Sequence, residues 1–293
     1  MTQGIEIVFN KLIHNNDINV VERIVYPIFS NKSSADRLFY QEIRSLFLNT
    51  MKNAKLSLFQ RNIFWLYVNR SIKKGLKNDF PLNKVEEKLR RFVRRFASDE
   101  ADKKPLSVQR AKMNFRNIER YITGEKILDL GAGDGLMASE IKNQLGKDII
   151  LVDILDYNCT DLPLILYNPE GKIPLRDNEV DTTILYTVLH HSSDPKRLLE
   201  EATRVTKQRL IIKEAYVEDD IKKMINSFFD WFYNRVIGDE DIYVPLNFLK
   251  VAGWREILKS CGFDVIETKY VGIDEHIVPE YHVFIIAERV NMV

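Results

Sequence analysis

The sequence predicts an α/β fold, a mainly parallel sheet flanked by helices and preceded by an all-helical segment. Three observations predict it. Residues 126–153, KILDLGAGDGLMASEIKNQLGKDIILVD, read as strand, glycine turn, helix and second strand. Strand-like and helix-like patterns keep alternating as far as residue 215, which is how parallel strands joined by crossover helices look in sequence. Residues 1 to about 75 instead space their apolar side chains by three and four.

Composition narrows the function classes. The chain has 293 residues, 43 Lys and Arg against 42 Asp and Glu, and a net charge of +1, so no general attraction to nucleic acid or to a membrane is built in. Cys159 and Cys261 are too few for a disulfide framework, no Cys and His cluster has zinc spacing, and no metal is expected. The first residues, MTQGIEIVFNK, lack a basic-then-apolar signal pattern, and no apolar run approaches the length of a membrane span. A cytoplasmic protein is the expectation.

In chain order, VVERIVYPIF and RLFYQEIRSLFLNTM are amphipathic, and Ser33, Ser34 and Asp36 are placed to cap the second of these helices. LFQRNIFWLYVNR is rich in aromatics; it reads as the core of a helical cap, or else as an apolar wall for a hydrophobic ligand. A break is expected at GLKNDFP, residues 75–81. The helix at 84–96 carries Leu89, Phe92, Val93 and Phe96 on one side, with Arg90, Arg91, Arg94 and Arg95 around them. Those arginines are the most basic local run in the chain, a solvated face or a dock for an anionic partner such as RNA. Glu86 and Glu87 stand one turn earlier, which pairs part of the charge. A polar stretch with Pro105 sets the expected boundary, giving a helical domain at 1–105 and an α/β domain at 106–293. A helix from Ser107 to Tyr121 should lead into the first strand.

The glycine turn is the most informative stretch. Gly131, Gly133 and Gly135 allow the backbone to bend sharply and lie close to a ligand, and the following helix starts with free amides. Asp153 stands at the carboxyl end of the next strand, where a ribose diol would be gripped. The dinucleotide fingerprint G-x-G-x-x-G does not fit, since its third glycine would fall on Leu136. With Asp129 two residues before the first glycine, the pattern is D-x-G-x-G-x-G. This resembles the first motif of the class I S-adenosylmethionine-dependent methyltransferases.

The resemblance, to the ubiquinone-methylase-like branch of that family, covers roughly residues 107–290. It implies a Rossmann-like seven-stranded sheet and S-adenosylmethionine as cofactor. The loop at Gly131 and Gly133 would pass the amino-acid end of the cofactor, Asp129 would help hold its ammonium, and Asp153 would bind the ribose hydroxyls. Leu164–Leu166 reads as the third strand, followed by IPLRDNEVD and ILYTVLHHSSDP at the fourth. Two departures stand out. The helix between strands two and three shrinks to DYNCTDLP, and the adenine contact after strand three falls on Tyr167 and Asn168, of which Asn168 can both donate and accept. Tyr186, ending strand four, is a further expected cofactor contact.

His190 and His191 follow strand four, where the transferred methyl should sit. Each is a candidate base or a structural residue. Glu214 and Tyr216, after strand five, are expected at the same mouth as rivals. From about 218 to 250 the chain inserts an aromatic segment including Trp231 and Tyr233, expected as an acceptor lid, or as an interface between domains or in a possible homodimer. VIETKYVGID and HVFIIAERV should close the sheet as an antiparallel pair. The resulting expectation is methyl transfer to a small, apolar or lipophilic metabolite. The alternatives are an RNA or protein methyltransferase docking through the helix at 84–96, and an inactive S-adenosylmethionine-binding partner.

Overall fold

The computed structural model describes residues 20–30, 33–51, 56–96, 103–238, 243–273 and 278–290. Helical expectations for residues 1–19 lie outside these. The chain forms two compact units.

The helical unit joins the described residues up to Phe96 with Tyr216–Phe248 and Gly272–Tyr281. Its helices are α1 (residues 20–30), α2 (Ser34–Thr50), α3 (Leu58–Lys77), α4 (Leu82–Phe96) and α8 (Asp220–Trp231). The last continues without a break into a π-helical turn, Phe232–Ile237. Ser33 caps α2 as expected, in a reciprocal box with Asp36, and Ser57 with Gln60 does the same for α3.

The inserted segment groups differently from the expected domain bounds. The segment 216–248 belongs with the helices and not with the sheet. Its Phe228, Phe229, Trp231 and Phe232 are fully buried in one core with Phe29, Phe47, Phe64 and Trp65, so α8 is covered on more than one face. The break expected over residues 75–81 falls at 78–81, between the end of α3 at Lys77 and the start of α4 at Leu82, with Gly75 still inside α3. A Cβ at Gly75 would lie 2.6 Å from Val85 Cγ2 and 2.8 Å from the Tyr26 hydroxyl, so this glycine allows close helix crossing.

Charge is buried in this core. Glu86 accepts from the Trp231 indole at 2.8 Å and from Arg235 at 3.2 Å, and Arg90 donates to the Arg235 carbonyl at 3.1 Å. Thus Arg90 of the basic run is held inside its own unit, while Arg91, Arg94 and Arg95 are exposed.

The sheet unit spans the described residues up to Ala215 from Lys103, then Leu249–Val271, then those from His282. Its strands are β1 (Lys126–Leu130), β2 (Asp148–Asp153), β3 (Leu164–Leu166), β4 (Val180–Tyr186), β5 (Thr206–Ala215), β6 (Phe263–Ile273) and β7 (Tyr281–Arg289). They lie in the order β3-β2-β1-β4-β5-β7-β6. The pairs from β3 through to β5 are parallel, and β7 runs antiparallel to β5. The helix expected at 107–121 is α5 (Lys103–Ile118) with a short 3₁₀ turn to Tyr121. The other helices are α6 (Leu136–Leu145), α7 (Pro195–Val205) and α9 (Val251–Ser260). As expected, no helix separates β2 from β3. Strand order reverses between β1 and β4, so the carboxyl ends of these two strands bound the crevice where an open α/β sheet takes its ligand.

Candidate active site at the switch point

The two loops leaving β1 and β4 are packed against each other. Gly131 has φ 75° and donates its N–H to Val152 at 2.8 Å; a Cβ there would come within 2.3 Å of Val188 Cγ2. Gly133, at φ 54°, has open space where its Cβ would be. One glycine is needed for packing and the other leaves a cradle.

Three carboxylates surround that cradle. Asp153 is fixed by the loop itself: Oδ2 accepts from Gly133 N at 2.8 Å, and Oδ1 from Ile154 N at 2.7 Å and Leu155 N at 3.3 Å. A carboxylate offers about four acceptor directions, so one direction is left for a ligand hydroxyl. Asp134 meets Arg110 of α5 at 3.5 Å. Asp129 is only 2% exposed, and among the described residues no donor meets it. Burial, reinforced by the charges of Asp153 and Asp134, pushes its carboxyl up to about 7. A buried acid without a donor beside an open backbone cradle is a site that a cation would complete.

The loop after β4 turns sharply. Thr187 takes φ 54°, unusual for a β-branched residue, and is held there by its N–H to the Lys213 carbonyl at 2.7 Å. A 3₁₀ turn, Leu189–His191, follows. Glu214 of β5 anchors it, accepting from Leu189 N at 3.0 Å, from His190 N at 3.2 Å and from His190 Nδ1 at 2.7 Å. Both partners are sealed, with Glu214 0% and His190 1% exposed. Glu214, expected as a rival base, thus accepts three hydrogen bonds from the loop after β4. Because it is the acceptor, Nδ1 of His190 carries the proton and Nε2 is the basic nitrogen. The His191 ring lies 4.2 Å from that of His190, centre to centre.

On the other face of the sheet Tyr186 donates to Asn114 Oδ1 at 3.0 Å, with the buried Lys213 ammonium 4.9 Å from its ring centre. Lys213, Asn114 and Thr187 were not anticipated. A lysine and a glutamate side by side in the apolar strand RLIIKEA were the signal for Lys213, whereas nothing local marks the other two. Asn168 lies in the loop after β3, but its Oδ1 accepts from Glu170 N at 2.9 Å. An Asx turn has taken one lone pair of its amide oxygen, leaving the other and the two N–H donors for an adenine edge.

The three residues expected to meet the acceptor all fall in the helical unit. Trp231 is fully buried with its indole N–H on Glu86, and Tyr233 packs on Phe229 and Phe232. Tyr216 is 5% exposed, edge-on to Tyr281, with its carbonyl held by Asn226. These are core contacts.

The methyltransferase-domain family matches residues 128–212. Two uncharacterized proteins of Methanocaldococcus jannaschii, MJ1123 and MJ1252, are each 28% identical to this chain, over 156 and 176 residues. Each alignment covers 53% of this chain, and 73% and 70% of the respective relative. Among solved structures, a SAM-dependent methyltransferase of Thermotoga maritima, described as a possible histamine N-methyltransferase, superposes with a TM-score of 0.48 at 17% identity. That likeness spans 69% of this chain and 98% of the other. No helix among the described residues is long and apolar enough to cross a membrane.

Proposed function

We propose that this chain, whose residues 128–212 match the methyltransferase-domain family, uses S-adenosylmethionine to methylate an oxygen or nitrogen of a small, largely apolar metabolite. The observation that carries this reading is the His190–Glu214 pair, set at the switch point on the loop that packs against Gly131.

When bound, S-adenosylmethionine supplies an electrophilic methyl and a neutral sulfide leaving group. The chain's residues fit it. Asp129 is the buried acid whose charge an ammonium would stabilise, Gly133 leaves the space for close approach, and Asp153 keeps one acceptor direction for a ribose hydroxyl. Asn168 and Tyr186 lie after β3 and at the end of β4, beside the same crevice.

A neutral hydroxyl or amine must lose its proton as the methyl arrives. His190 supports that step, because Glu214 holds Nδ1–H and stabilises the imidazolium that forms, while the sealed surroundings exclude water. His191 lies within ring contact and is the second candidate. Most of the remaining acceleration would come from alignment of acceptor, methyl and sulfur. The tethering of Arg90 within the helical core weakens an RNA-docking role for α4.

The test is to incubate the protein with methyl-labelled S-adenosylmethionine and an extract of its source cells, then separate small molecules, lipids, RNA and protein. Label among small molecules or lipids supports the proposal. Label in RNA or protein overturns the acceptor class, and no label in any fraction favours a cofactor-binding partner protein.

A further inference from the structure

The exposed face of α3 is built the wrong way round for a helix that only meets water. Its inner face, Phe64, Trp65, Val68, Ile72 and Gly75, is buried in the helical core. On the outside, Leu58 is 61% exposed, Phe59 74%, Ile63 39% and Leu66 48%. Phe59, Ile63 and Leu66 are spaced by four and three, so they form one stripe. The same stripe continues through Arg70, Lys74 and Lys77, all exposed. The outer face is apolar over its first half and cationic over its second. Monomeric soluble proteins rarely leave so continuous an apolar surface without a partner.

The charge pattern names the partner. Between Glu42 and Asp79 the sequence has eight lysines and arginines and no acidic residue, in a chain whose totals are 43 basic and 42 acidic. A protein partner or a second copy of this nearly neutral chain would not require such a one-signed surface. Nucleic acid would use the cations but not the aliphatic stripe. A helix that presents Phe, Ile and Leu together with Lys and Arg suits the plane of an anionic bilayer, apolar side chains among the acyl chains and ammonium groups at the headgroups.

We propose that α3 docks this protein on anionic membrane surfaces, with Phe59, Ile63 and Leu66 inserted and Arg70, Lys74 and Lys77 against the lipid phosphates. The docking stands independently of the acceptor assignment, and together the two imply an acceptor collected from the bilayer.

The experiment is flotation of the full chain with vesicles of phosphatidylcholine alone or mixed with phosphatidylglycerol, without cofactor or acceptor. Binding should need the anionic lipid and weaken at high salt. Phe59→Ser with Leu66→Ser should weaken it by at least about tenfold. Arg70→Gln, Lys74→Gln and Lys77→Gln together should weaken it by about a hundredfold, roughly fivefold for each charge. All five side chains are exposed, so circular dichroism should show both variants folded. No flotation of the native chain overturns the proposal, as does flotation that survives both variants. Self-association at micromolar concentration abolished by the serine variant would make the stripe a dimer interface, and RNA binding without flotation would make it a nucleic-acid face; either overturns docking on lipid. A failed flotation leaves methyl transfer untouched, and an unlabelled extract leaves flotation untouched.

Discussion

Replacing Asp129 with asparagine should stabilise the protein at neutral pH while weakening its hold on S-adenosylmethionine. The carboxyl moves from an ordinary value of 3.8 to about 7 on folding, from burial first and then from Asp153 and Asp134. Because its folded value is raised, the native state keeps a proton that the unfolded chain has released between about pH 4 and pH 7. Stability therefore falls as pH rises through that window, and the full cost, roughly 4 kcal/mol, is present above it. Asp129→Asn removes the cost, so chemical denaturation at about pH 8 should show a gain of that order, shrinking towards pH 4. An ammonium beside Asp129 reverses the preference by favouring the ionised form. Binding S-adenosylmethionine at about pH 6 should then release about 0.9 proton per molecule, and affinity should rise about fifteenfold between about pH 5.5 and pH 7. Titration calorimetry in two buffers of different ionisation enthalpy reads the proton count directly. No proton release at pH 6, with Asp129→Asn binding as well as the native chain, would refute the pairing of Asp129 with the ammonium.

Other predictions separate positioning from chemistry. His190→Ala should leave cofactor affinity unchanged in calorimetry while turnover falls by about a hundredfold or more. Glu214→Ala should lower unfolding stability by about 2–5 kcal/mol, because the buried amides of Leu189 and His190 and the imidazole lose their acceptor; an unchanged denaturation midpoint would contradict that bonding. The two cradle glycines should differ in kind. Gly131→Ala, aimed at Val188 Cγ2, should destabilise the fold by about 1–3 kcal/mol, whereas Gly133→Ala should cost about 1 kcal/mol but reduce cofactor affinity by more than tenfold. In the helical unit, Glu86→Ala should cost about 3–5 kcal/mol in urea denaturation, since it strands the Arg235 guanidinium in the core.

Local chemistry made much of this protein legible from its sequence. Alternating apolar runs and helical periods fixed the strand and helix order, Ser33 announced its cap, and the glycine register with Asp129 and Asp153 singled out the β1 turn and the end of β2. These features depend on neighbours a few residues away, so a linear reading reaches them. The tertiary structure decided what depends on distant partners. Glu214 reads as a candidate base in sequence, and only the fold shows that the amides of residues 189 and 190 donate to it from the turn after β4. Trp231 reads as part of an acceptor lid or an interface, and only the fold shows Glu86, far away in sequence, accepting its N–H. The break over residues 75–81 was legible in sequence, yet only the approach of Val85 and Tyr26 reveals the use of Gly75. The outward face of α3 shows the same division: the sequence supplies its spacing and charge, but only packing tells which of two apolar faces the core takes and which is left for a partner. A side chain's role follows from its surroundings, and in a folded chain those are set by residues that the sequence holds apart.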